Sequence, residues 1–159
     1  MDAMIALYPP TSVATALAVP GGEPSDKLHI TLAYFPELTQ LEWMTLLRVV
    51  GEFSVDVSKE DFNGTINGIG EFMNEDENVL LALPDMPSLF NVRARLLRRL
   101  GEYELKSKVA HNHGYIPHIT LQYVSEPTNV PVSLYKKVDL WFDSIFVVSD
   151  NVGFEFPIR

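Results

Sequence analysis

The chemistry in this chain is concentrated in a tetrapeptide that occurs twice. His29-Ile30-Thr31-Leu32 returns as His118-Ile119-Thr120-Leu121, 89 residues later. The likeness extends to HITLAYF against HITLQYV, which agree at five of seven positions. An imidazole near neutrality both takes and gives protons. A threonine hydroxyl two residues on donates a hydrogen bond to an oxygen where charge develops. Two such pairs facing one cleft suit paired proton transfer at a phosphodiester. One neutral histidine takes the proton of the attacking oxygen, one protonated histidine gives a proton to the leaving oxygen, and Thr31 and Thr120 hold the non-bridging oxygens. Two close histidines titrate as a coupled pair, so the rate should be bell-shaped in pH.

Other chemistries fit less well. A metal site would have two histidines, but threonine is a poor ligand and neither motif contains a carboxylate. Asp26 and Glu37 flank the first copy without counterparts at the second. The chain has no cysteine, so it has no thiol nucleophile or disulfide framework. No nucleophile-elbow glycine pattern or Walker-type phosphate loop is present.

The elements that position these residues must be strands. Both copies are rich in β-branched and aromatic residues, and residues two apart in a strand share a face. His29 and Thr31 then point one way, with Ile30, Leu32 and Tyr34 on an apolar back. His118 and Thr120 repeat this against Ile119, Leu121 and Tyr123. By the same alternation Gln122 joins the polar face as a substrate-binding candidate, and Tyr34 and Tyr123 belong to the core. Tyr115, in the loop entering the second motif, is a candidate for stacking on a base. Lys106 and Lys108 are placed to draw an anion toward the cleft, His111 and His113 read as solvated loop histidines, and Arg93, Arg95, Arg98 and Arg99 read as a solvated helix face.

Along the chain, residues 3–8 read as a buried strand ended by Pro9-Pro10. A short helix follows to about Val19, then the turn-rich loop 20–24 and the first motif strand, 28–35. Thr39 and Glu42 form a capping box for a helix with Leu41, Met44, Leu47 and Val50 inward, ending near Gly51. Strand-like pieces follow at 52–57, 62–72 and 78–83. Gly64, Gly68 and Gly70 in the second piece suggest bulges or close backbone approach. Residues 74–78 read as a solvated hairpin tip. A second helix over 88–100 carries Leu89, Val92, Leu96 and Leu100, with Gly101 as its C-cap. After the second motif strand, 118–124, and a proline-containing loop, two final strands are expected at 137–148 and 152–158, turning at Asp150-Asn151. The order reads as two similar α+β lobes in one domain over residues 1–159, each contributing one motif strand.

The totals bound the partners. Twelve basic against 21 acidic residues, a net charge of −9, disfavour a grip on long nucleic acid, which rests on lysine and arginine. A small anion in a locally positive pocket remains open. No apolar run approaches the ~18 residues of a membrane span, and MDAMIALYPP lacks signal-peptide features, so a cytoplasmic setting is expected. Oligomeric state is not legible.

With both motifs complete, the chain resembles the two-histidine (2H) phosphoesterase superfamily, which includes 2′–5′ RNA ligase-like proteins and cyclic phosphodiesterases. The opening strand ending in Pro-Pro, the helix after the first motif and the proline before the second are similar too. The resemblance implies a bilobal, pseudo-symmetric α+β fold, with two antiparallel sheets flanking a central cleft and helices outside. It implies cofactor-free, metal-independent cleavage of 2′,3′-cyclic phosphates, 2′–5′ linkages or cyclic oligonucleotide second messengers. His29 and His118 would be the catalytic pair and Thr31 and Thr120 the phosphate-binding pair. The acidic, compact form points to a small nucleotide or cyclic oligonucleotide, and resembles versions carried by bacteria and phages, where removal of a defence signal is a conceivable role. A nucleotide-sequestering module without cleavage is the alternative, and a structural protein with vestigial motifs a third reading.

Overall fold

A computed structural model describes residues 1–73, 77–110, 115–124, 137–150 and 152–158. The elements in chain order are β1 (Ala3–Leu7), α1 (Thr11–Leu17), β2 (Ile30–Phe35), α2 (Gln40–Asp56), β3 (Asn63–Phe72), β4 (Asn78–Asp85), α3 (Ser88–Glu102), β5 (Ile119–Val124), β6 (Val138–Trp141), β7 (Ser144–Ser149) and β8 (Val152–Pro157). One 3-10 turn, Ser25–Lys27, precedes β2 and another, Lys106–Lys108, stands between α3 and β5. The fold is α+β. No helix among the described residues is long and apolar enough to cross a membrane.

The two expected sheets are one. Among the described residues eight strands run in the order β6-β3-β4-β5-β2-β1-β7-β8, and every neighbouring pair is antiparallel. The two motif strands lie side by side at its centre, joined through a single register pair, Ile30↔Ile119. The lobes are the four-stranded halves on either side of this seam. Each half places its motif strand innermost, next to the strand that precedes it through a helix: β1–α1–β2 in one, β4–α3–β5 in the other. The apolar backs of β2 and β5 pack with α2 and α3 in one core that includes Ile30, Leu32, Ile119, Leu121, Leu46, Phe53, Leu89 and Leu96.

The helices differ from expectation in ways packing explains. The capping box forms as read: Glu42 N–H donates to Thr39 Oγ1 at 3.1 Å and Thr39 N–H to Glu42 Oε1 at 2.8 Å. Beyond it α2 buries Leu46, Val49, Val50 and Phe53, while Leu41 and Met44 are exposed. This stripe runs on to Val57, so helical spacing, not alternation, governs 52–57, and no strand forms there. Gly51 does not end the helix. It lies where Phe156 of β8 packs, an added Cβ standing 3.4 Å from the ring. Gly101 is not the C-cap either. The helix runs to Glu102, and Glu104 takes the left-handed position (φ 61°), with Leu105 N–H donating to Leu100 O and Glu104 N–H to Gly101 O. That is the Schellman arrangement, built without glycine.

Two strand readings are also corrected. Residues 137–148 are two strands in different lobes: β6 on the edge beside β3 and β7 beside β1, broken at Phe142–Asp143. In the 74–78 tip, residues 74–76 lie outside the described residues, and Asn78 is buried as the first residue of β4. Within β3 the glycines behave as read. The ladder with β4 shifts between Ile66 and Gly68, and a Cβ on Gly64 would stand 2.4 Å from Asp85 O. Asn151, expected in the last turn, lies outside the described residues; Asp150 before it has φ 49°.

Candidate active site

The antiparallel seam sets the motifs face to face. With Ile30 opposite Ile119, His29 stands across from Thr120 and Thr31 across from His118. All four line one pocket of about 530 Å³, whose remaining wall comes from Tyr8, Glu23, Lys27 and Tyr123. That volume falls in the range of small-molecule sites.

Both imidazoles are held alike. His29 Nδ1 lies 2.8 Å from Lys27 O, and His118 Nδ1 lies 2.7 Å from Ile116 O. A carbonyl only accepts, so each Nδ1 carries a proton and donates it. Each Nε2 is left as the nitrogen whose proton comes and goes. Aromatic rings flank both: Tyr8 at 5.4 Å from His29, and Phe72 edge-on at 5.2 Å from His118. Burial pushes His29 below the ordinary imidazole range. The Lys27 carbonyl and Glu23 carboxylate oppose this, while positive charge on His118 adds to it.

After the threonines the two strands do the same thing again. In β2, Ile5 pairs with Ala33 but Ala6 with Thr31, so Leu32 is an extra residue. In β5, Leu80 pairs with Gln122 but Leu81 with Thr120, so Leu121 is extra. Each motif thus ends in a β-bulge at its fourth residue, which breaks the alternation downstream.

These paired strands with their facing histidines can be set against known proteins. Residues 16–151 match the 2′-5′ RNA ligase superfamily. The chain belongs to that superfamily. Solved structures of similar fold cover nearly all of it. The crystal structure of TT0787 of Thermus thermophilus has a TM-score of 0.76 at 21% identity, over 100% of this chain and 98% of that one. E. coli LigT complexed with 3′-AMP has a TM-score of 0.66 at 17% identity, over 99% and 95%. A phosphoesterase structure has a TM-score of 0.63 at 18% identity, again over 99% and 95%. No curated protein matches the sequence significantly.

In this 2′-5′ RNA ligase superfamily member the bulges reverse two sequence assignments. Tyr34 and Tyr123 are not core: they are 41% and 53% exposed, and Tyr123 lines the pocket. Tyr34 instead donates to Asp2 Oδ2 at 3.2 Å. Gln122, expected on the polar face, is turned aside; its Nε2 lies 3.4 Å from Gly21 O and it is not part of the pocket wall.

Tyr115 also has another task. Beside the single seam pair, two β2 carbonyls accept hydrogen bonds from side chains of the other lobe. Tyr115 OH donates to Thr31 O at 3.1 Å, and Arg93 Nε of α3 donates to Leu32 O at 3.0 Å. The Arg93 guanidinium lies 4.2 Å over the Tyr115 ring. Burial raises the Tyr115 hydroxyl to about 12, Arg93 opposing, so it stays a donor. On the opposite side the loop before β2 clasps β5: Glu23 N–H donates to Leu121 O at 2.8 Å. Both bulge carbonyls are therefore held by the other lobe. The sequence signal for Arg93 was hidden because it sits among arginines that look like a solvent face.

Several other cations are paired away from the pocket. Arg95 pairs with Glu60 at 2.5 Å, and Arg99 with Asp56 and Glu52, joining α3 to α2 and the segment after it. Lys108 pairs with Glu42 at 3.5 Å, and neither Lys106 nor Lys108 lines the pocket. His111 and His113 lie outside the described residues. Lys27, which sequence reasoning passed over, is the lysine in the pocket wall; its signal was its place two residues before His29.

The clasp predicts a separable effect. Arg93→Ala is expected to cost about 1–3 kcal/mol by leaving Leu32 O unsatisfied, and Tyr115→Phe about 0.5–1.5 kcal/mol. Urea titration of both variants checks this. Wild-type stability in Arg93→Ala would show that the carbonyl is satisfied without it.

Proposed function

We propose that this protein is a phosphodiesterase that cleaves a small nucleotide by paired proton transfer between His29 and His118. The observation that supports it is the pair of pinned imidazoles in one pocket, each with Nδ1 on a backbone carbonyl and Nε2 left for chemistry. The attacking oxygen, the ribose hydroxyl next to the phosphodiester or a water, gives its proton to Nε2 of one histidine as it bonds to phosphorus. The bond from phosphorus to the leaving oxygen breaks, and that oxygen takes the proton from Nε2 of the other. Burial favours neutral His29 and so suits it to be the base; His118 is then the acid.

The threonines serve the non-bridging oxygens. Thr31 Oγ1 rests 3.3 Å from Met4 Sδ. A thioether is a weak acceptor, so a phosphate oxygen readily takes its place. Membership in a phosphoesterase superfamily agrees with this chemistry, as does the crystallisation of LigT with 3′-AMP, NADP+ and ATP, all small nucleotides. Pocket size and net charge favour a 2′,3′-cyclic phosphate, a 2′–5′ linkage or a cyclic oligonucleotide over a long strand.

The test is turnover of a panel of 2′,3′-cyclic nucleotides, 2′–5′ dinucleotides and cyclic di- and trinucleotides in EDTA. Cleavage of at least one, with a bell-shaped pH profile, is expected. Because His29 is lowered, its base form persists into more acid solution, and the acid limb of kcat/KM should fall below the ordinary histidine value of about 6.5. Tight binding with every ligand recovered intact would replace this reading with nucleotide sequestration.

A further inference from the structure

A pocket built for an anion has a carboxylate in its wall. Glu23 lines it together with Lys27, His29 and His118. The backbone fixes it there. Gly22 N–H donates to Val19 O at 3.0 Å, Glu23 N–H donates to Leu121 O at 2.8 Å, and a Cβ on Gly22 would stand 2.4 Å from that same carbonyl. The loop is thus pressed against the second motif strand, at a position where only glycine fits. Among the described residues the Glu23 carboxylate has no hydrogen-bond or ion-pair partner to neutralise it, and its field reaches His29.

We propose that Glu23 sets the pocket's selectivity for charge: it admits a singly charged phosphodiester and rejects the doubly charged monoester left when water is the attacking oxygen. The inference rests on the phosphodiesterase reading above. A diester carries one negative charge; a phosphate monoester gains a second with a pKa of about 6. In the protonation state that starts the reaction, Lys27 and one imidazolium supply two positive charges and Glu23 one negative. A diester cancels the remainder, whereas a dianionic monoester leaves one negative charge uncompensated. Glu23 therefore weakens product binding without weakening substrate binding to the same degree. The other titratable groups in the pocket wall are Lys27, His29, His118, Tyr8 and Tyr123.

The experiment compares a matched pair of ligands that differ by one methyl group, 2′-deoxyadenosine 3′-phosphate and its 3′-methyl diester. Both lack the 2′-hydroxyl needed for internal attack. Calorimetry measures each against wild type, Glu23→Gln and Glu23→Asp at pH 7.5 and below pH 6. In Glu23→Gln at pH 7.5 the monoester should tighten by about tenfold more than the diester, the size of one extra charge pair in a partly screened site. Glu23→Asp should retain the wild-type preference. Below pH 6, where the monoester gives up its second charge, the gap between wild type and Glu23→Gln should close. An unchanged monoester-to-diester ratio in Glu23→Gln, or a change that persists at low pH, overturns the role of Glu23 while leaving the phosphodiesterase reading intact. If neither ligand binds wild type, the nucleotide pocket itself falls, and both readings fall with it.

Discussion

Replacing either motif histidine with alanine is expected to lower kcat/KM for the cleaved nucleotide by roughly 10²–10⁴-fold, the usual worth of a positioned acid or base, with the fold unchanged. His29 and His118 are half-buried at the sheet surface, so truncating them opens no core cavity. The two losses should differ in pH dependence. His29→Ala removes the group assigned to the acid limb, whereas His118→Ala should keep that limb. The double variant should lose less than the product of the two single losses, because one proton moves in and one out of the same phosphate. Initial rates from pH 4.5 to 9, with far-UV circular dichroism of each variant, check this. Wild-type turnover in His118→Ala would sink its role as the acid.

The second large effect lies at the seam. Ile30 and Ile119 form the single register pair that joins the two halves of the sheet, and both are fully buried. Ile119→Ala is expected to destabilise the protein by about 2–5 kcal/mol through lost burial and the cavity left behind. Turnover measured well below the unfolding midpoint should fall too, since this pair sets His29 and Thr31 against His118 and Thr120. Urea unfolding and activity at 15 °C give the two readouts. A loss under about 1 kcal/mol would mean the lobes are held by the shared helices and crossing loops, and that the seam residue only fills space.

Features whose physics is local were legible in the sequence. The Thr39–Glu42 box forms because four residues suffice to define it, and the apolar positions of α3 hold because one helix period fixes them. The motif strands were legible for the same reason up to their fourth residues. The bulges at Leu32 and Leu121 were not, because an extra residue is defined only against a partner strand's register. Alternation carried through them put Tyr123 in the core and Gln122 at the site; in the structure Tyr123 lines the pocket and Gln122 turns aside toward Gly21 O. Arg93 escaped notice because its acceptor, Leu32 O, is a backbone atom 61 residues away in the chain. The split at Phe142–Asp143 was hidden because both pieces are apolar and β-prone; what separates them is membership of different lobes.

The strand order also has a consequence for how the molecule is made. Lobe one consists of β1 and β2 from early in the chain and β7 and β8 from after β6, so the whole of lobe two is inserted within it. During synthesis lobe two has all its strands first, while β1 waits for β7 as its outer neighbour. A ribosome-bound chain ending near residue 141 therefore holds both histidine motifs but only half of the first one's sheet. Competence for chemistry should arrive late, with the emergence of the β7–β8 hairpin, well after the second histidine has been translated.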